Sequence, residues 1–277
     1  MAAGSQFYDV LTEAVEDMIA HGFDSQARVD EWVKRIREAA EREMISETSL
    51  EQMMREALAA IYARLIDKGK IVQFHPGIER FTIERVRPAL RAELDRRIMA
   101  SANLIKLNRT QAIDKTLQRF VGWSTSIPKG GTDAADRRDT KKLVRKALAQ
   151  LPFEERRVLI DQGHKLRASL SEILAKDGAA IAMIWHSHWR QAGYDYREDH
   201  KERDQKIYTL RGNWAIEAGL MKAGPYGYYD EITSVGEEPF CRCYAQWIYA
   251  IRDLPKGMLT AKGGAELDRV RQQIAAM

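Results

Sequence analysis

The stretch AAIAMIWHSHW (179–189) decides how this chain is read. Seven apolar residues run without a break, Asp177-Gly178 stands before them as a helix stop, and a polar, aromatic tail follows. A short continuous apolar run between turn signals suits a buried strand. Everything upstream repeats at three-four spacing, and what lies downstream does not. The period changes here. The fold class expected is therefore α+β: a helical N-terminal half followed by a compact C-terminal domain on a small mixed or antiparallel sheet.

Upstream, FYDVLTEAVEDMIA places Phe7, Val10, Leu11, Ala14, Val15, Met18 and Ile19 on one helix face, and Gly22 stops it. A second stripe runs through Val29, Trp32, Val33, Ile36 and Ala40. A third follows SETSLEQ, where Ser49 and Gln52 suit a capping box, and takes in Leu50, Met54, Leu58, Ile61, Tyr62 and Leu65 up to a stop at Gly69. FHPGIE (74–79) reads as a turn. Helical spacing resumes through Leu90, Leu94 and Ile98, with Pro88 in a first turn or at a kink. WSTSIPKGGTDAADRRDT (123–140) is a loop, and two helices are expected after it, DTKKLVRKALAQLP and FEERRVLIDQGHKLRASLSEILAKDG. Residues 1–105 are assigned to a helical docking arm and 106–277 to the second domain.

Downstream, KIYTLRGNW and CRCYAQWIYAI suit further strands, separated by a Gly/Pro/Tyr-rich loop, and GGAELDRVRQQIAAM closes as a polar helix. Composition is that of a globular chain, with 45% hydrophobic and 30% charged residues in 277. No run of eighteen apolar residues offers a membrane segment, and the N-terminus lacks the basic-then-apolar pattern of a secretory signal. The two cysteines are too few for a disulfide framework, which fits a reducing compartment.

Both cysteines, Cys241 and Cys243, lie in GEEPFCRCYAQWIYAIRDLP (236–255). On a strand they would project from the same face with Cα atoms ~6.5 Å apart, the far edge of disulfide geometry. Two readings are open. They are small buried core residues, or they share a tetrahedral zinc ion completed from His200, His188, His186 or Asp195. Arg242, pointing the other way, is expected to pair with Asp195, Asp199 or Asp204.

The strand ending near Trp185, then DYREDHKERDQKIY, a Gly/Pro-rich loop and EEPFCRCYAQWIY resemble the C-terminal domain of the Mu F-like phage head-morphogenesis proteins, also called minor head proteins. The matching residues are Asp195, Arg197, His200, Asp204 and Lys206, then Pro239, Cys241, Arg242 and Cys243, within 181–255. Asp199 stands where that family has Pro, and GEEPF lacks its second His. The resemblance implies a non-enzymatic virion component, made in the host cytoplasm and present in few copies. It would associate with the portal protein or neighbouring head or tail proteins, serve head assembly, and in some phages leave with the DNA. Asp195, Arg197, His200, Asp204, Lys206 and Arg242 would form a polar network holding the long loop to the sheet.

The rival reading is a metal-dependent hydrolase or nuclease built on His186, His188 and His200. The chain shows no P-loop, dinucleotide fingerprint or nucleophile elbow. Its net charge is +4, and residues 79–109 alone carry eight positive side chains against four negative. Arg85, Arg91, Arg96, Arg97, Lys141 and Lys142 are the candidates to face packaged DNA through phosphate contacts. The competing account of the same residues is a solvated helix face with i,i+4 ion pairs.

Overall fold

In the computed structural model the described residues are 6–43, 46–66, 80–132 and 136–276. Gly69 and the FHPGIE turn lie outside them. The architecture is α+β, as the change of period implies: helices dominate the first two thirds, and a three-stranded antiparallel sheet lies in the C-terminal part. Among the described residues no helix is long and apolar enough to cross a membrane.

Two compact units form, and they are interleaved along the chain instead of dividing at residue 105. One comprises residues 1–54 and 99–159, the other 55–98 and 160–277. In the first, α1 (Gln6–His21) and α2 (Gln26–Arg42) pack on the later part of α4 (Arg80–Ser124), on α5 (Arg137–Val144) and on the start of α6 (Lys146–Asp177). Six of the seven residues in the first predicted stripe are buried, Val10 alone being half-exposed. Its core joins Phe7, Val15, Met18 and Ile36 to Phe120, Val144 and Leu148. Ser25 caps α2 by accepting the Arg28 N–H, and Asp136 caps α5 through the N–H groups of Arg138 and Asp139. Each such cap stabilises by about 1 kcal/mol.

The loop 125–132 is tied to the end of α1. Phe23 N–H donates to the Ile127 carbonyl, Gly130 N–H to that of His21 and Thr132 N–H to that of Ile19. Gly22 (φ +71°) and Gly131 (φ +83°) make this approach possible, because a Cβ would stand 1.8 Å from the Pro128 oxygen or 2.3 Å from the Ile19 oxygen.

Three helix boundaries differ from the sequence reading. α3 (Glu47–Leu65) begins at Ser46, whose hydroxyl accepts the Ser49 N–H, so capping occurs three residues ahead of the expected Ser49/Gln52 box. Pro88 lies inside α4, well past its first turn. Pro152 lies inside α6, so the break expected there is a continuous helix and the interruption falls at Arg145.

In the second unit the sheet order is β2-β1-β3, from β1 (Ala182–His186), β2 (Ile207–Thr209) and β3 (Tyr244–Ile248). Met183 stands opposite both Tyr208 and Trp247. Alternation along β1 gives the sheet two buried faces. Met183 and Trp185 pack with Ala175, Tyr229 and the cysteines on one side. Ile181, Ala182 and Ile184 pack with Ala215, Met221, Leu254 and Met258 on the other. Both faces are covered, which is why 179–185 is apolar without interruption. Two short helices, α7 (Glu198–Glu202) and α8 (Trp214–Glu217), interrupt the long connections, and α9 (Ala261–Ala275) ends the fold.

Candidate metal centre

The cysteines do not sit on a strand. Cys241–Cys243 form an extended segment before β3, entered through a turn in which Cys241 N–H donates to the Glu238 carbonyl. Phe240 takes a left-handed backbone (φ +59°), unusual for a non-glycine residue. It is held there by its N–H donating 2.6 Å to the buried Asp161 carboxylate of α6.

Two further clamps come from the 194–200 loop. The Tyr194 hydroxyl donates to the Phe240 carbonyl and accepts the Arg242 N–H. Arg197 donates to the Pro239 carbonyl at 2.9 Å and pairs with the Glu238 carboxylate.

Between these straps lies His200, on α7 and only 2% exposed. Its Nδ1 is 3.5 Å from Cys243 Sγ and 3.7 Å from Cys241 Sγ. The two buried thiols share a proton. Donation from Cys243 draws Cys241 well below the ordinary thiol value against the opposing effect of burial, helped by His200 and by backbone N–H groups. The same sharing, with burial, pushes Cys243 up.

The other ring nitrogen, Nε2, is buried with no hydrogen-bond partner. Glu238 and Asp199 carboxylates lie 3.7 and 3.9 Å from it.

Three soft and borderline donors within 4.8 Å of one another form a zinc-type set. In a tetrahedral site with Zn–S ~2.3 Å and Zn–N ~2.0 Å, the N···S edge is about 3.5 Å, close to both distances found. A metal-ligating His generally passes its second N–H to a carboxylate, and Glu238 and Asp199 flank the orphaned Nε2. The donor set fits.

The remaining residues singled out in the sequence fall elsewhere. His188 is not a member of any three-donor group among the described residues, nor is His186. His186 leaves the sheet on the opposite side from Trp185. It bonds Gln205 and Gln246 through its two nitrogens and stacks on Tyr244. His186, His188 and His200 do not form one donor group among the described residues, because His200 packs against Trp185 while alternation along β1 sends His186 to the other face.

The expected charge-to-charge network is also redistributed. Arg197 pairs with Glu238, while Asp204 accepts the Ser187 N–H and the Trp189 indole N–H. Burial opposes ionisation of Asp204, but those two donors outweigh it and hold its carboxyl below the usual range. Lys206 lies over the Tyr226 ring and Arg242 over that of Tyr194. No hydrogen bond or ion pair of Asp195 is found among the described residues.

Five of the six cations expected to face nucleic acid are already engaged. Arg85 binds Asp177, Arg91 lies over Tyr62, Arg96 and Arg97 share Glu93, and Lys141 binds Glu16. Only Lys142 has no such partner among the described residues.

Sequence reasoning missed Glu238 and Asp161. Glu238 was visible, two residues before the cysteine pair's left-handed turn. Asp161 gave no signal, since a single acid on a helix is ordinary. Comparison with family descriptions, with curated proteins and with solved structures returns no match.

Proposed function

We propose that the chain is a structural component of a tailed-phage particle, a minor head protein of the Mu F-like head-morphogenesis kind. The observation that carries this reading is the convergence of the two segments on which the resemblance rests. His200, from the first, stands within 3.7 Å of both thiols of the second, and Arg197 grips the Pro239 carbonyl. The chemistry of the convergence favours bracing over turnover. A hydrolytic centre needs a ligand position open to substrate, whereas His200, Cys241 and Cys243 are all buried.

In this reading the sheet module is a rigid block, and the helical parts dock on the portal protein or neighbouring head or tail proteins, in several copies around a symmetric vertex. The engaged state of Arg85, Arg91, Arg96, Arg97 and Lys141 makes their contribution to DNA contact small. Mass spectrometry of purified particles, with a density map of the vertex, tests the proposal: the chain is expected in mature or precursor heads at the portal. Finding it in infected cells but never in particles would defeat it.

The Cys-His cluster takes a structural zinc ion in the same reading. Protein purified without chelator is expected to carry zinc in proportion to chain, and chelation should lower the Tm. His200→Ala and Cys241→Ser should each abolish zinc retention. Metal-free protein whose Tm is indifferent to added zinc would leave the cluster as a thiolate–imidazole core contact alone.

A further inference from the structure

A groove of about 400 Å³ runs along the outer edge of β3. Every residue from 242 to 247 lines it, although alternate side chains of a strand point to opposite faces of its sheet. Only a space lying against the edge of the strand meets them all. The facing wall is α6, which contributes His164, Arg167, Ala168 and Ser171, spaced as one helix face. Trp247 ties strand to helix, its indole N–H donating 3.1 Å to the Ser171 hydroxyl.

The register fixes what that edge presents. Trp185 turns its main-chain groups toward β2: its N–H donates to the Lys206 carbonyl, and its own carbonyl accepts the Gln205 N–H. Alternation then directs those of Ala182, Ile184 and His186 toward β3, where Ile248, Gln246 and Tyr244 stand opposite them. The N–H and C=O groups of Ala245 and Trp247 are left pointing away from the sheet. No main-chain hydrogen bond on that side is found for either residue among the described residues.

The two edges of the sheet are finished differently. β2 is three residues long and follows Lys206, and its outward Thr209 N–H is taken by the Gly227 carbonyl. β3 is five residues long, YAQWI, and pairs with β1 alone. Short length, lysine, proline and a covering segment are the means by which edges are protected from pairing. β3 has none of them. A row of unpaired N–H and C=O groups is complementary to a second extended backbone.

Charge narrows the occupant. Arg167 and Arg242 line the groove, and among the described residues no carboxylate does. This sign favours an acidic segment over a lysine-rich one. It also disfavours a second copy of this chain, because a two-fold pairing of β3 with itself would bring the same basic rim together from both sides.

We propose that β3 and α6 form a docking groove for an extended, acidic segment of a partner protein, which adds to the sheet as a fourth strand. The main-chain groups of Ala245 and Trp247 supply the pairing, and alternate side chains of the segment meet the α6 wall. The inference is independent of whether the chain resides in a particle.

Fluorescence anisotropy with the full-length chain tests it, using a labelled eight-residue peptide that alternates valine and glutamate. The peptide is expected to bind at least tenfold more tightly than its valine–lysine counterpart, and at least tenfold more tightly than a version N-methylated along its backbone. Binding should slow hydrogen exchange at the Ala245 and Trp247 amides and leave that of Gln246, already bonded to β1, unchanged. Ala245→Pro removes one outward donor without touching the β1 ladder, and should weaken binding at least tenfold. If that variant fails to fold, the exchange measurement decides alone. Arg167→Glu should erase the preference for glutamate over lysine. Four results would each overturn the assignment: no binding of the acidic peptide, equal binding of its N-methylated form, no added protection at Ala245 and Trp247, or a dimer of the chain that Ala245→Pro dissolves, which would give the edge to a second copy.

Discussion

Trp185→Ala is expected to remove about 3–5 kcal/mol of stability, the range for deleting a large buried aromatic. Trp185 is fully buried at the centre of β1. Its ring meets the His200 imidazole edge-on at 5.3 Å, and the Arg203 guanidinium lies over it at 5.1 Å. The substitution therefore opens a void against the residue on which the two thiols converge, and weaker zinc retention should accompany the loss of stability.

Trp185→Phe separates packing from polarity. The indole N–H is buried without a hydrogen-bond partner, a burden of about 1–3 kcal/mol, and phenylalanine removes it while keeping an aromatic edge toward His200. The phenylalanine variant should thus lose far less than the alanine one. Urea unfolding with an unchanged m-value provides the measurement. A loss below about 1 kcal/mol for Trp185→Ala would mean that the site is not supported from the sheet as described.

The second large effect is expected at Gly22. Alanine there meets two obstacles at once: a left-handed backbone that costs an L-residue about 1–2 kcal/mol, and a Cβ 1.8 Å from the Pro128 oxygen. The oxygen belongs to backbone, so relief requires the 125–132 loop to leave α1, with its three hydrogen bonds. A total of about 3 kcal/mol or more follows. Two controls bracket it. Gly130 also has positive φ (+93°), but a Cβ there would meet nothing within 4 Å, so Gly130→Ala should show the backbone cost alone. Gly122 is exposed on α4 with open space around it, and Gly122→Ala should stabilise by up to about 1 kcal/mol through helix propensity. Thermal melts of the three variants should fall in that order. Equal shifts for Gly22→Ala and Gly130→Ala would remove the steric half of the argument.

Local periodicity carried most of the secondary structure. The stripes of α1, α2 and α3 needed only the three-four spacing, and the switch at 179 needed only a run of apolar residues bounded by Asp-Gly and His-Ser-His. What failed did so where a distant partner overrides a local rule. The cysteine segment looked like a strand because its residues have strand propensity. Asp161, 79 positions away, instead holds Phe240 in a left-handed turn and displaces the strand start to Tyr244. The acid-rich loop beside Arg242 suggests an acidic partner for it, yet Asp199 is taken by Arg203 and Asp204 by the Ser187 N–H and Trp189, while Asp195 pairs with nothing among the described residues. The proximity of His200 to both thiols was legible as a possibility, since the same residues carry the resemblance. The choice of His200 over His188 was not, because it depends on where β1 ends. The interleaving of the two units is invisible to any window of sequence, since each helix reads the same whichever neighbour it packs against.

That interleaving bears on synthesis. Among the described residues the core around Phe7, Val15 and Ile36 is completed by later residues such as Ile113, Phe120, Val144 and Leu148, so the opening helices leave the ribosome with part of their apolar faces uncovered until those residues have been translated. A nascent chain arrested before Ile113 should thus be a client for holdase chaperones, and it should become protease-resistant only after α5 and the start of α6 have emerged.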